Sequence, residues 1–367
     1  MKKFVSLLLA ISMLLGLVSF AAADEAPFRV AMITDYGDIT DQSFNQTTYE
    51  ACKAFCEANN VDFSYFKPAG DSTAERVAMV DAAVDEGYNV IVMPGYAFGA
   101  TIAETQDLYP EVTFIALDVS EGDLGVELCD NVFCAVYQEE LSGYMAGYAA
   151  VKLGYKHLGF LGGMAVPAVI RFGYGFVQGA DAAAKELGIT NEVSVEYVYG
   201  NQFYGDADIT AYMDNWYQTL GVEIVFACGG GIFTSAAEAA VKVNGKVIGV
   251  DTDQSFNIDA AYGDKITVTS AMKGLAATVN TLLTETVLNG NFANYGGKVQ
   301  TLGLVSGEDM SLNYVALPET TQFADTFTRD DYVALVKGMV DGTVVVSNAI
   351  DAMPATTITV TDHGTVK

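Results

Sequence analysis

Side chains that could bind a ligand crowd one corner, between a strand-like run at 28–34 and a helix-like segment near 43–59. In chain order they are Asp35, Asp38, Asp41, Ser43, Phe44 and Asn45. A carboxylate or an amide can hydrogen-bond the polar edge of a small molecule, and an aromatic ring can stack on its face. A simple connection needs only a few turn residues. This corner therefore predicts ligand contacts as well as the start of a helix.

Polar or glycine-rich positions also follow other apolar runs. Gly95 and Tyr96 follow one run, Asp118 ends the next, and Asp251 ends a later one. Glycine clusters follow the runs HLGFL and VEIVFAC. Ligands of open parallel sheets bind beyond the carboxyl ends of the strands. If two such sheets face each other, these positions converge on one cleft.

The elements that must position these corners alternate along the chain. Short apolar runs without strict alternation are typical of parallel strands covered on both faces, and intervening helices indicate βαβ units. The first series has strand-like runs at 28–34, 62–68, 89–95 and 112–118, with helices near 43–59, 73–87 and 100–110. The second has runs at 157–163, 193–200, 222–231 and 246–253, with helices near 138–154, 170–188, 207–220 and 233–243. A strand-like run at 265–274, another helix and a looser tail follow.

The chain length also indicates two lobes, because 367 residues exceed what one hydrophobic core usually serves. We expect an α/β protein with two doubly wound parallel-sheet lobes joined by a hinge and no cofactor. The expected divisions are a leader at 1–23, an N-terminal lobe at 24–137 plus 254–272, and a C-terminal lobe at 138–253 plus 273–367. The expected hinge segments lie near 118–137, 251–256 and 270–276.

The first residues are typical of a secretory signal peptide. Lys2 and Lys3 precede an apolar stretch, and small residues end it at Ala23. The alternative is a transmembrane anchor, but the small residues favour cleavage. We expect an exported protein, in the periplasm or at the cell surface, that acts as a monomer. A net charge of −28 argues against nucleic acid and anionic lipid as partners.

Four segments carry a family resemblance. TDYGDITDQSFNQ, FLGGMAVPAVIRFGYGFVQGA, VIGVDTDQS and TSAMKG occur in this order between residues 34 and 274. They resemble the signatures of the basic membrane protein (BMP) family of substrate-binding proteins, whose characterised members bind purine nucleosides. The tail near ALVKGMVDGTVVV is similar to the family's closing helix and strand. The resemblance implies a type I periplasmic-binding-protein fold and a receptor that delivers its ligand to a membrane ABC transporter permease.

The resemblance also implies roles for individual residues. Asp35 would bind the nucleoside, Phe44 would stack on the base, and Asn45 would stand beside it. Asp118 would hydrogen-bond the base, and Asp251 and Lys273 would hold the ribose. Gly230 and Phe233 fall in a loop with further contacts, although GGGIF departs from the family's usual Gly-Gly-Thr-Gly form. The family's lipid-attachment cysteine is absent near Ala23, so no lipid anchor is expected.

Each assignment has a purely structural alternative. Asp35 and Asp118 could cap helices, Phe44 could fill a core, and Asp38 and Asp41 are expected to cap the first helix. Arg171 could bind phosphate or form an ion pair, and the ion pair is the preferred interpretation. The glycine clusters could suggest a phosphate cradle, but no Gly-Lys-Ser/Thr follows either of them. Cys129 and Cys134 could close a small loop.

Three other functions fit parts of the sequence. The aspartates at the first corner faintly resemble the calcium cluster of nucleoside hydrolases, but the spacing differs and His157 and His363 are the only histidines. Sugar-responsive repressors share the expected fold, yet they need a DNA-binding segment and a basic surface. The same binding fold could also hold a vitamin, a sugar or a signalling molecule. Binding of a purine nucleoside is the preferred hypothesis.

Overall fold

The computed structural model describes residues 27–366, so the expected leader lies outside the described residues. The strands are β1 Arg29–Ile33, β2 Asp62–Phe66, β3 Val90–Pro94, β4 Thr113–Leu117, β5 Val132–Tyr137, β6 His157–Gly162, β7 Ser194–Tyr199, β8 Ile224–Cys228, β9 Lys246–Asp251, β10 Thr267–Lys273, β11 Lys298–Leu302, β12 Val315–Ala316 and β13 Thr359–Thr365. The helices are α1 Phe44–Asn59, α2 Thr73–Asp85, α3 Phe98–Thr105, α4 Glu121–Leu124, α5 Glu139–Lys152, α6 Pro167–Leu187, α7 Ala207–Asn215, α8 Phe233–Val241, α9 Ser255–Tyr262, α10 Leu275–Leu283 and α11 Arg329–Val340. One turn of π-helix extends α7 through Leu220 and α10 through Leu288.

The first sheet is entirely parallel and has the order β11-β5-β4-β3-β1-β2. The chain reverses its direction of winding between β1 and β3, which is where a doubly wound sheet opens a crevice for ligand. Buried side chains fill both faces of the sheet, because parallel strands are covered by helices on both sides. This sheet and its helices form the first lobe.

The second sheet repeats the same winding in the order β12-β10-β9-β8-β6-β7-β13. Only the two-residue β12 runs antiparallel, and β13 adds to the outer edge of β7. This sheet and its helices form the second lobe. The two doubly wound lobes predicted from the sequence are therefore confirmed. No helix among residues 27–366 combines the length and apolar character needed to cross a bilayer.

The assignment of segments to the lobes differs from the prediction at two places. Residues 254–272 were expected in the first lobe, but β10 pairs with β9 and α9 packs on β10, so the segment belongs to the second. Residues 273–367 were expected in the second lobe, but α10 packs on α1 and β11 pairs with β5. The tail near ALVKGMVDGTVVV resembles the family's closing helix and strand, but among the described residues it forms only the helix α11, and the chain is then irregular up to β13.

Three segments cross between the lobes, at 137–139, 273–275 and 302–315. They lie side by side: Gln138 N donates to Leu302 O at 3.0 Å, Gly274 N donates to Tyr314 O at 2.7 Å, and Tyr314 N donates to Gly303 O at 2.9 Å. The second crossing lies within the hinge expected at 270–276, and the first adjoins the one expected at 118–137. The hinge expected at 251–256 is wrong, because that segment joins β9 to α9 inside the second lobe.

Candidate functional site

A cavity of about 510 Å³ opens between the carboxyl ends of the two sheets. Its walls come from the corners after β1, β3 and β4 of the first lobe and after β6, β7, β8, β9 and β10 of the second. All the residues predicted to contact ligand line it: Asp35, Phe44, Asn45, Asp118, Gly230, Phe233, Asp251 and Lys273. The parallel topology thus brings together residues that are up to 238 positions apart, as from Asp35 to Lys273.

The corner before α1 is held by Asp41. Its carboxylate accepts from the backbone N–H groups of Ser43, Asn45 and Gln46 at 2.9–3.0 Å, so Asp41 caps the helix as predicted. Asp38 does not cap it, because its carboxylate pairs with Lys67 Nζ at 2.9 Å instead. The buried Oδ1 of Asn45 has no hydrogen-bond partner among the described residues. That oxygen remains available to a ligand donor.

Asp35 is buried at the start of the same corner. Its Oδ1 accepts from the backbone N–H groups of Tyr36 and Gly37, both at 2.7 Å. Burial raises the pKa of the carboxyl group, and these two hydrogen bonds oppose the rise. Gly95, at φ +126°, makes room for it, since a Cβ there would lie 2.9 Å from Asp35 Oδ2. Asp35 therefore has a fixed orientation in the cavity wall.

A buried charge cluster closes the deep end of the cavity. Lys273 Nζ lies 2.5 Å from Asp118 Oδ2, 3.5 Å from Glu139 Oε1 and 3.8 Å from Asp251 Oδ1. Burial lowers the pKa of Lys273, but the three carboxylates together raise it by more. The net pKa therefore lies above the usual value, and the amine stays charged. Because Asp118 belongs to the first lobe and Lys273 to the second, this ion pair crosses the cleft.

Two of these carboxylates belong to residues with a left-handed backbone conformation, one directly after β4 and one at the last position of β9. Asp118 has φ +61° and Asp251 has φ +64°, a conformation that non-glycine residues seldom adopt and that concentrates at functional sites. Asp118 Oδ1 is buried without a hydrogen-bond partner among the described residues. Burial raises the pKa of Asp251 to about 6, while Lys273 and a hydrogen bond from Ser43 act to lower it. Both side chains are held ready to accept hydrogen bonds from a ligand.

Aromatic rings form the apolar part of the wall. The Phe44 ring is half-buried, since it packs against the hydrophobic core and also lines the cavity, and Lys273 Nζ lies 5.0 Å from its centroid. The Phe172 ring also lies near the ammonium group, with its centroid 5.4 Å from Nζ. Phe203 enters from the loop after β7, and Tyr204 beside it is mostly exposed. A flat ligand can therefore contact rings from both lobes.

The glycine clusters make room for Phe203. A Cβ on Gly163 would lie 2.3 Å from the Phe203 ring, and one on Gly229 would lie 2.8 Å from it. Gly230 has φ +50°, and its Cβ would lie 2.7 Å from Phe203 O. Phe233 lines the cavity but is only 3% exposed and packs in the core of the second lobe. The packing of Phe203 explains these glycines without a phosphate cradle.

Arg171 forms the ion pair that the sequence analysis preferred. Its Nε donates to Glu139 Oε2 at 2.6 Å, which leaves Oε1 of this fully buried carboxylate facing Lys273.

Glu139, Phe172 and Phe203 were not predicted as site residues. Phe203 had a recognisable signal, an aromatic pair in the polar loop GNQFYGD after a strand. Glu139 had none, because acidic residues are common in the first turn of any helix. All five cysteines, including Cys129 and Cys134, are free thiols.

Two facing α/β lobes with a polar cleft between them define a class of ligand-binding proteins. A solved structure of an ABC transporter solute-binding protein from Aeropyrum pernix K1 matches this chain with a TM-score of 0.66, at 21% identity, covering 87% of each chain. That likeness confirms the type I periplasmic-binding-protein fold. Residues 28–310 match the family model Bmp, described as ABC transporter substrate-binding protein PnrA-like, and the chain belongs to this family.

Relatives in this family are similar over most of their length. The chain is 27% identical over 302 residues to Basic membrane protein B of Borreliella burgdorferi, covering 80% of this chain and 82% of that protein. It is 25% identical over 296 residues to the ABC transporter nucleoside-binding protein BmpA of Lactococcus lactis, covering 76% of this chain and 80% of that protein. The chain is thus a substrate-binding protein of an ABC transporter rather than an enzyme.

Proposed function

We propose that this protein binds a purine nucleoside in the cavity between its lobes and delivers it to a membrane ABC permease. The arrangement of Phe44 and Lys273 carries the proposal: a half-buried ring lies beside a lysine that contacts Asp118 and Asp251. A base can stack on Phe44 while its polar edge meets Asp118. The vicinal hydroxyls of a ribose suit Asp251 as acceptor and Lys273 as donor.

The charge of the cavity favours a neutral ligand with several hydrogen-bond donors. The carboxylates that line it are Asp35, Asp38, Asp41, Asp118, Asp123 and Asp251, against the three cations Lys67, Arg171 and Lys273. All three cations are already paired with carboxylates. A phosphate group would meet a net negative wall, whereas N–H and O–H donors would meet unpartnered oxygens of Asn45 and Asp118.

Two further observations support uptake of a nucleoside. The Lactococcus lactis relative is named a nucleoside-binding protein. The leader predicted at 1–23 is consistent with export to the outer side of the membrane, where a binding protein meets its ligand.

Isothermal titration calorimetry on the chain from Asp24 tests the proposal. We expect adenosine, guanosine, inosine or xanthosine to bind with a dissociation constant at or below roughly micromolar, about −8 kcal/mol. Ribose, free sugars and the corresponding nucleotides serve as comparison ligands. Binding of a sugar or a flavin, with no heat from any nucleoside, would replace the nucleoside by another small ligand in the same cleft.

A further inference from the structure

Ser43 occupies the N-cap position of α1 but does not cap the helix. Asp41 performs that role, since its carboxylate accepts from the first backbone N–H groups. The fully buried Ser43 hydroxyl instead donates to Asp251 Oδ2 at 2.6 Å, across the cleft in the second lobe. A residue type suited to capping is therefore used for a contact between lobes.

Gln254 makes a second contact beside the first. Its fully buried amide Nε2 donates to the backbone oxygen of Gln42 at 3.0 Å, again across the cleft. Its Oε1 accepts from Val250 N at 2.9 Å, and its own N–H donates to Ser270 Oγ at 3.2 Å. Gln254 thus connects the corner before α1 with Val250, directly beside Asp251 near the end of β9, and with Ser270 in the middle of β10.

These two hydrogen bonds can exist only when the lobes are closed, because their donors and acceptors belong to different lobes. They also act on Asp251 from two directions. Ser43 holds one carboxylate oxygen, and Gln254 holds the backbone that places Asp251 at φ +64°. Both contacts therefore restrict the orientation of the Asp251 carboxylate toward the cavity.

We propose that Ser43 and Gln254 are positioning residues that stabilise the closed form and orient Asp251. In the ligand-free protein they maintain a closed population. In the complex they slow ligand release. This second part of the inference rests on the proposed function. Neither residue has to touch the ligand for this effect. Removing either contact should shift the closed-to-open ratio on the order of tenfold, more for Ser43 because its partner is charged.

Distance measurement between spin labels tests the closed population without any ligand. One label is attached at Glu57→Cys on α1 and one at Glu238→Cys on α8, both exposed positions, with Cys129→Ser to remove the half-exposed native thiol. We expect a closed-form distance in the parent protein and a shift toward longer distances in Ser43→Ala and Gln254→Ala. Gln254→Met repeats the test with the side-chain volume retained.

Matched controls remove equally buried hydrogen bonds inside one lobe. Ser142 Oγ donates to Ala316 O within the second lobe, and Gln106 bonds Glu127 O and Cys129 N within the first. Ser142→Ala and Gln106→Ala should leave the distance distribution unchanged. An open ligand-free parent, unchanged Ser43 and Gln254 variants, or equal shifts in the controls would overturn the proposal.

Stopped-flow release of a bound purine nucleoside then tests the second part. We expect Ser43→Ala and Gln254→Met to raise the dissociation rate about tenfold. The association rate should rise as well, because ligand enters the open form and more of the ligand-free protein is open in these variants. Unchanged dissociation rates would refute control of release. If no nucleoside binds, the proposed function fails, but the spin-label distances still decide whether these residues stabilise closure.

Discussion

Ligand affinity should rise with pH through the titration of Asp251. Its carboxyl group has a pKa raised by burial to about 6, and we expect the ionised form to accept the ligand hydroxyls. With that pKa, about one-tenth of the carboxyl groups are ionised at pH 5 and about nine-tenths at pH 7. If only the ionised form binds well, affinity for the nucleoside rises about tenfold over this range, or roughly 1.4 kcal/mol.

Calorimetry at pH 5, 6 and 7 measures this dependence, and two variants assign it. Asp251→Asn should bind more weakly and lose the dependence. Glu140 also titrates in this range, because burial raises its pKa to about 7, but it does not line the cavity, so Glu140→Gln should retain the dependence. Affinity in the parent protein that is flat or falls from pH 5 to 7 would refute the assigned role of Asp251.

The stability of the ligand-free protein should change in the opposite direction. The pKa of Asp251 is raised from 3.8, so the folded state holds its proton more tightly than the unfolded chain does. This contribution to the free energy of unfolding is present below pH 4 and is lost as pH rises through about 6. We therefore expect the free energy of unfolding, measured with urea at several pH values, to fall more steeply with rising pH in the parent protein than in Asp251→Asn across that range.

Three further changes have distinct expected results. Phe44→Ala should weaken binding of every purine nucleoside by about 1–3 kcal/mol, measured by calorimetry on protein whose circular dichroism is unchanged; unchanged affinity would contradict stacking. Lys273→Met should lower the free energy of unfolding by about 3–5 kcal/mol, because it removes the cation that the buried Glu139 and Asp251 share with the part-buried Asp118; unchanged stability in a urea titration would contradict this role of Lys273. Asp118→Asn should change the ranking among purines in the same calorimetric series, since an amide can donate as well as accept; an unchanged ranking would remove Asp118 from base recognition.

The parts of the fold that could be predicted are those encoded by local patterns. The runs that became β1, β3, β4 and β8 are continuously apolar because both faces of these strands are buried. Their order of winding follows the general behaviour of parallel sheets. That behaviour alone was enough to place Asp118 and Asp251 at strand ends facing one cleft.

Long-range pairings could not be predicted in the same way. β11, with the sequence KVQTL, exposes most of its residues and carries no apolar run, yet it extends the first sheet beside β5. β13 is also mostly exposed and pairs with β7 after an irregular segment. Such edge strands are selected by their partners rather than by their own sequence, which is why the sequence does not predict that β11 joins the first lobe.

Contacts between the lobes were equally hidden. Ser43 precedes a helix, so its local pattern indicates a cap, and only the folded chain shows its hydroxyl on Asp251. Glu139 likewise has the ordinary appearance of an acidic residue in a first helical turn. The ion pairs of Lys273 join Asp118 after β4, Glu139 in α5 and Asp251 in β9, and no sequence spacing places the Glu139 carboxylate in this cluster.

A crystal structure of the chain from Asp24, grown with the purine nucleoside that binds most tightly, tests the central claim most directly. We expect the base against the Phe44 ring with its polar edge at Asp118, and the ribose hydroxyls within hydrogen-bond distance of Asp251 and Lys273. A nucleoside bound outside the interlobe cavity, or one in the cavity that contacts neither Phe44 nor Asp251, would contradict the account.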